Sequence, residues 1–219
     1  MNEEAFQRRV AAVALSATMQ RGFALAGSGA IREHGLTTRR TADIDLFTPS
    51  ADPESFADAV AELTAQLQGD GFSVRLARQF ELFARLEVSK VDLTVDVDLG
   101  VDSRGREPVV LAIGAVLSEI DAVANKVVAL FGRAEARDFL DVDAIRRSER
   151  FTDADLLDAA AEHDAGFDRR VFVDMLRSVR RIGPRRVAEY DVLGPELEQI
   201  KARLLSWADE IEQTLEQPT

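Results

Sequence analysis

The sequence predicts a mixed α/β (α+β) chain, a small mixed β-sheet core with helices followed by a C-terminal helical bundle. A short apolar run, Phe23-Ala24-Leu25-Ala26, ends at Gly27-Ser28-Gly29, which reads as a buried strand entering a tight turn. From Val91 to Leu99 the residues alternate, with Val91, Leu93, Val95, Val97 and Leu99 on one face and Asp92, Thr94, Asp96 and Asp98 on the other. From Thr152 onward the pattern is helical with no strand period. The expected division is a core over residues 1–150 and a helical region over 151–219.

The elements follow in order. Phe6, Val10, Val13 and Ala14 recur at helical spacing, so residues 5–20 form a helix. Ala30 to His34 is a short helix stopped by Gly35, and Ile44 to Phe47 is a strand ended by Pro49. Asp52-Pro53 starts a helix, with Asp as cap and Pro at the first helical position, and Phe56, Val60, Leu63 and Leu67 form its buried stripe. Strands are expected over Phe72–Leu76 and Glu81–Val88. Ser118 caps a helix lined by Ile120, Val123, Val127, Leu130 and Phe131, another helix runs from about Ala134 to Ser148, and the last extends from Pro195 to about Leu215.

Composition bounds the chemistry. The 219 residues are 46% hydrophobic and 30% charged, enough for a real core. With no cysteine there is no disulfide framework, thiolate zinc site or cysteine nucleophile, and two histidines cannot make a three-His zinc site. Hard oxygen ligands remain. No stretch approaches the roughly 18–20 apolar residues that span a bilayer, and the acidic start Met1-Asn2-Glu3-Glu4 is unlike a signal peptide. The expected location is the cytoplasm, with no membrane partner. The net charge of −12 opposes a broad nucleic-acid footprint. Arginine pairs nevertheless recur at 39–40, 146–147, 169–170, 180–181 and 185–186, either as local basic patches or as solvated helix faces.

Several short elements carry chemistry. Gly27 and Ser28 sit where a backbone can approach an anion, although a Gly-Ser-Gly turn is often only a turn. Asp43-Ile44-Asp45 places two carboxylates on one face of a strand and Ile44 in the core. Such a pair suits Mg²⁺, with Mn²⁺ as the alternative, and is costly without a cation. Asp98 or Asp96 offers a third carboxylate on the alternating strand, whose bland reading is an edge strand charged against aggregation. Lys126 lies near the apolar stripe of its helix, and Arg137-Asp138 is followed one turn on by Asp141. Ordinary helix-surface ion pairs are the bland reading of both.

In order and context these elements resemble the polymerase-β-like nucleotidyltransferase fold. More closely, residues from about 23 to 145 resemble the AbiEii/MenT family of toxins of AbiE/MenAT toxin–antitoxin systems. The matching text is Leu25-Ala26-Gly27-Ser28, His34-Gly35, Arg39-Arg40-Thr41-Ala42-Asp43-Ile44-Asp45-Leu46, Val97-Asp98-Leu99, Asp121 to Lys126, and Ala136-Arg137-Asp138-Phe139-Leu140-Asp141. The interval of about 12 to 15 residues from Lys126 to Asp138 and Asp141 is its most specific part. No motif covers the helical tail.

The resemblance implies a Mg-dependent nucleotidyltransferase that moves NMP from an NTP to the 3′ acceptor end of tRNA, stopping growth until a cognate antitoxin restrains it. Gly27 and Ser28 would hold the triphosphate, and Arg39 or Arg40 would contact phosphate. Asp43 and Asp45 would bind the metal. Asp98 would be the third acid, preferred over Asp92 and Asp96 because Val-Asp-Leu-Gly-Val-Asp fits the motif best. Lys126 and Asp141 match positions needed for activity, and Thr41 sits where family members can carry a regulatory phosphate. For RNA contact, Arg177, Arg180, Arg181, Arg185 and Arg186 are the best candidates. The rivals are transfer to a small molecule or a protein hydroxyl (AMPylation), and a non-catalytic interaction domain.

Overall fold

The computed structural model describes residues 2–216; Met1 and residues 217–219, the outer ends of the two expected domains, lie outside the described residues. Two compact units form, one from Met1–His34 with Thr41–Glu119 and one from Gly35–Arg40 with Ile120–Thr219. The expected domain boundary at residue 150 lies inside the second unit. The helices after Glu119 contact one another, Ala136–Arg147 and Arg169–Arg177 each packing on Gly194–Glu216, which is why they group with the tail.

The first unit holds α1 (Glu3–Thr18), β1 (Ala24–Leu25), α2 (Gly27–Glu33), β2 (Asp43–Thr48), α3 (Pro53–Gly69), β3 (Ser73–Phe80), β4 (Phe83–Lys90), β5 (Leu93–Val101), β6 (Val109–Leu111) and β7 (Gly114–Val116). The strands make one mixed sheet in the order β3-β4-β5-β2-β1-β7-β6. β2/β5 and β1/β7 are parallel, and the other neighbours are antiparallel. The short β6 and β7 carry too few residues for their alternation to show in the sequence.

Local chemistry sets these elements. Asn2 accepts from the Ala5 amide at the start of α1. Asp52 caps α3, with Pro53 at its first position, and its expected stripe of Phe56, Val60, Leu63 and Leu67 is buried. α1 packs on α3, and the Phe6–Phe72 and Phe23–Phe56 ring pairs, each 5.9 Å between centroids, help close the core. Val95, Val97 and Leu99 are buried as expected, but Val91 is not a strand residue. It occupies the two-residue turn between Lys90 and Leu93, with φ of 57° and 93% exposure. The turn needs a left-handed residue there, and the alternating pattern hides it.

The second unit holds α4 (Glu119–Gly132, its first residue at the boundary), α5 (Ala136–Arg147), α6 (Asp153–His163), α7 (Arg169–Arg177) and α8 (Gly194–Glu216), with short 3₁₀ turns at Ser178–Arg181, Pro184–Arg186 and Ala188–Tyr190. A run of rings, Phe131–Phe167–Phe172–Trp207, spaced 5.1, 5.3 and 5.3 Å, ties α4, α7 and α8 together. Among the described residues no helix is long and apolar enough to cross a membrane.

Candidate active site

In the first unit, β1 lies antiparallel to β2, and the Ala26 amide donates to the Asp45 carbonyl at 2.8 Å. That bond brings the start of α2 directly against Asp45. A Cβ on Gly27 would stand 1.8 Å from Asp45 Oδ2, and its φ of 56° is a conformation glycine adopts freely. Gly27 is therefore required twice, by its backbone and by the carboxylate packed on it. Ser28 is buried one residue on, and α2 begins at Gly27, earlier than the sequence suggested.

β2 alternates as expected. Ile44 and Leu46 are buried, and Asp43 and Asp45 stand half-exposed on the other face. The Thr41 hydroxyl donates to Asp43 Oδ1 at 2.7 Å, and Gln7 of α1 donates to the carbonyls of Thr41 and Asp43 at 3.0 and 3.3 Å. The backbone leading into the Asp-x-Asp pair is thus pinned from α1. Nothing in the sequence marks Gln7 for this task.

Parallel pairing aligns Asp43 with Asp96 and Asp45 with Asp98, so all four acids share one face of the sheet. β5 lies between β4 and β2, not at an edge, which removes the aggregation-blocking reading of its acids. Asp98 is buried, and Asp96 is more open. The residue directly opposite Asp98 on β4 is Arg85. Its Nε and Nη2 donate to the two oxygens of Asp98 at 2.6 and 2.5 Å, and Nη1 stands 3.6 Å from Asp96. Bidentate charge-assisted pairs of this kind are among the strongest hydrogen bonds in proteins. The hydrogen bonding to Asp98, with the charges of Asp98, Asp96 and Asp43, raises the Arg85 pKa against the opposing effect of burial.

Arg85 is the residue that sequence reasoning missed. The turn at Val91-Asp92 fixes the β4/β5 register, and recognising it would have placed Arg85 on Asp98. The arrangement also bears on the expected metal set of Asp43, Asp45 and Asp98. Among the described residues no three His, Cys, Asp or Glu side chains gather to hold a metal. Asp98 is turned to Arg85. Asp43 and Asp45 by themselves suit a hard cation, because Mg²⁺ is commonly held by one or two carboxylates, with phosphate oxygens and water completing its octahedron.

The second unit holds the other expected residues. Asp141 of α5 is fully buried (0% exposed). Lys126 of α4 places Nζ 2.9 Å from its Oδ2, and Arg39 donates through Nε and Nη2 at 2.8 Å each. The side chains of Lys126 and Arg39 are only 6% and 8% exposed, and the Arg39 guanidinium lies 5.0 Å from the centre of the Tyr190 ring. Burial pushes the Asp141 carboxyl up. The Lys126 charge and the hydrogen bonds and charge of Arg39 outweigh it, leaving the pKa below the usual carboxylate value.

These are not surface pairs. Arg39 is committed to Asp141, and the exposed Arg40 remains the outward-facing member of the pair. The neighbouring acids of α5 serve other ends. Asp138 receives Arg133 at 2.9 Å twice and closes the helix-capping box with Glu135, and Asp143 receives Arg203 at 2.7 Å twice. Arg137 pairs with Glu135 at 3.0 Å. Of the Arg-Asp-x-x-Asp text, Asp141 meets Lys126.

The fold is shared with solved proteins. The crystal structure of JHP933 from Helicobacter pylori is 16% identical, with a TM-score of 0.64, over 99% of this chain and 95% of that one. MenT4, a nucleotidyltransferase toxin from Mycobacterium tuberculosis H37Rv, is 17% identical, with a TM-score of 0.58, over 96% of this chain and 87% of that one. No curated protein sequence matches the chain. The family model described as nucleotidyl transferase AbiEii toxin, Type IV TA system, matches residues 14–217. The chain belongs to this family of nucleotidyltransferase toxins.

Proposed function

We propose that the chain transfers NMP from an NTP, in a Mg²⁺-dependent reaction, to the 3′ end of tRNA. The family supplies the coarser part: a nucleotidyltransferase toxin with an NTP substrate and an antitoxin partner. The observation that carries the site assignment is the stack of Gly27 on Asp45, with Asp43 beside it and Asp98 in register on the next strand. Such a cradle lets a triphosphate approach bare backbone while carboxylates face it.

Asp43 and Asp45 would hold the cation. A bound divalent ion neutralises triphosphate charge and polarises the phosphoryl group under attack. The acceptor hydroxyl forms the new bond to the α-phosphorus, the bond to the bridging oxygen breaks, and pyrophosphate leaves. Positioning and charge neutralisation supply most of the acceleration in such transfers. Asp98 accepts the hydroxyl proton through lone pairs that Arg85 leaves free, since a carboxylate offers about four acceptor sites and Arg85 fills two. Arg85 orients that carboxylate. Asp141, with no exposed surface, acts through Lys126 and Arg39 and is a positioning residue. Gly27 and Ser28 line the phosphate side, and Arg40 is the exposed arginine next to Thr41 in sequence. A phosphate on Thr41, whose hydroxyl already touches Asp43 Oδ1, would set negative charge beside that carboxylate and oppose NTP binding.

The test incubates the protein with each α-radiolabelled NTP, Mg²⁺ and total tRNA, beside an Asp43→Ala control. Label on tRNA that the substitution abolishes is the expected result. Asp43-dependent label on protein or a small molecule instead would overturn the tRNA acceptor and keep the chemistry. No transfer to any acceptor would overturn both.

A further inference from the structure

The segment Ser178-Val179-Arg180-Arg181-Ile182-Gly183-Pro184-Arg185-Arg186-Val187 carries four exposed arginines. None of Arg180, Arg181, Arg185 and Arg186 makes an ion pair or hydrogen bond through its side chain among the described residues. Arg147 and Arg170 share this property, whereas other arginines of the same unit are engaged. Arg133, Arg146 and Arg203 each grip a carboxylate through two nitrogens, and Arg169 meets Asp158. Arg177, which the sequence groups with the four, is engaged by Asp209 and Glu212 and faces away from the task expected of it.

The segment is built, not loose. Val179, Ile182 and Val187 are buried beneath it. The Ile182, Arg186 and Val187 amides close turns onto Val179, Gly183 and Pro184 at 3.0, 2.9 and 3.3 Å. In a chain with 39 acidic and 27 basic residues, four exposed guanidinium groups at positions 180, 181, 185 and 186 carry a local positive charge that no carboxylate ion pair balances among the described residues. An external polyanion balances it, and the planar fork of arginine fits phosphate oxygens two at a time.

We infer that the 180–186 arginines form a docking surface for the phosphate backbone of RNA, holding the acceptor independently of the NTP. The choice of RNA rests on the proposed acceptor; the charge and exposure of the surface do not. An acidic chain needs such a concentrated patch, because its remaining surface repels RNA.

The test measures binding of tRNA to the full chain by fluorescence anisotropy over a salt series, without NTP. The four-fold variant R180Q/R181Q/R185Q/R186Q is compared with the wild type, and its fold is checked by circular dichroism and melting. Its slope of log affinity against log salt is expected to be shallower by about 3, with binding weakened more than about tenfold at moderate salt. The four-fold Arg→Lys variant is expected to keep the slope and lose affinity a few-fold, since ammonium groups keep charge without the fork. An unchanged slope in the folded Gln variant overturns the surface, as does loss of binding to phosphatidylserine vesicles with RNA binding intact. A wild type that binds RNA through these arginines but never labels tRNA leaves the surface standing and overturns the acceptor reading. Equal labelling of tRNA by wild type and Gln variant, with equal KM for tRNA, does the reverse.

Discussion

Asp141→Asn is expected to be among the most destabilising single changes in the second unit. Asp141 is fully buried and accepts from Lys126 and twice from Arg39. The amide removes the only negative charge of the three and turns one acceptor into a donor facing other donors. Lys126 and Arg39 then stay buried and lose the carboxylate they share. Breaking a buried pair by removing one partner costs about 3–5 kcal/mol, and two cations that share the lost carboxylate place this site at the upper end, near 5 kcal/mol. At about 2–4 °C per kcal/mol for a chain of this size, the melting temperature falls by about 10–20 °C. The assay is thermal unfolding of the variant, of Lys126→Met and of the double variant. Because the cost is electrostatic, Lys126→Met in the Asp141→Asn background recovers part of it, a coupling of about 1–3 kcal/mol. A loss below about 1 kcal/mol, or strict additivity, would refute the buried-triad reasoning and return Asp141 to a direct role.

Gly27→Ala places a Cβ on Asp45 and a side chain at positive φ, so transfer is expected to fall about 100-fold for a strain of only about 1–2 kcal/mol; single-turnover rates within threefold of wild type would sink this. Arg85→Gln removes the cation that competes for the acids of β2 and β5, so the Mg²⁺ concentration at half-activation is expected to fall about three- to tenfold; an unchanged or higher requirement counts against that role. The folded-state pKa of Asp141 is depressed, so its stabilisation is fully present above the unfolded carboxyl pKa of about 3.9 and is lost as pH falls below it. Unfolding free energy measured between about pH 6 and about pH 3 should therefore fall more steeply for wild type than for Asp141→Asn, by up to about 1.4 kcal/mol per pH unit. Parallel curves would mean that the carboxyl is not held charged.

Much was legible in the chain because it depends on near neighbours. The period of two that puts Asp43 and Asp45 on one face needs only a strand, and so does the burial of Ile44 and Leu46. Asp52-Pro53 and its stripe gave α3, and the Gly-Ser turn marked the place where α2 meets β2. The resemblance singled out Lys126 and Asp141, and the fold brings the two together at 2.9 Å. Burial removes the helix-surface reading: the pair is buried and joined by Arg39, a residue about a hundred positions away in sequence.

What the sequence determined by itself was the local geometry of the acids, the class of ligand they suit and the family of the fold. Only the tertiary structure decided their partners. Arg85 reaches Asp98 because a turn at Val91, disguised by its apolar side chain, sets the hairpin register. Asp45 meets Gly27 because β1 pairs with β2, and Arg177 is withdrawn from the arginine cluster by α8. The physical reason is common to all three. Spacing along a chain fixes which way a side chain points, whereas the charge it meets is supplied by another segment, brought there by pairing and burial that act across the whole fold.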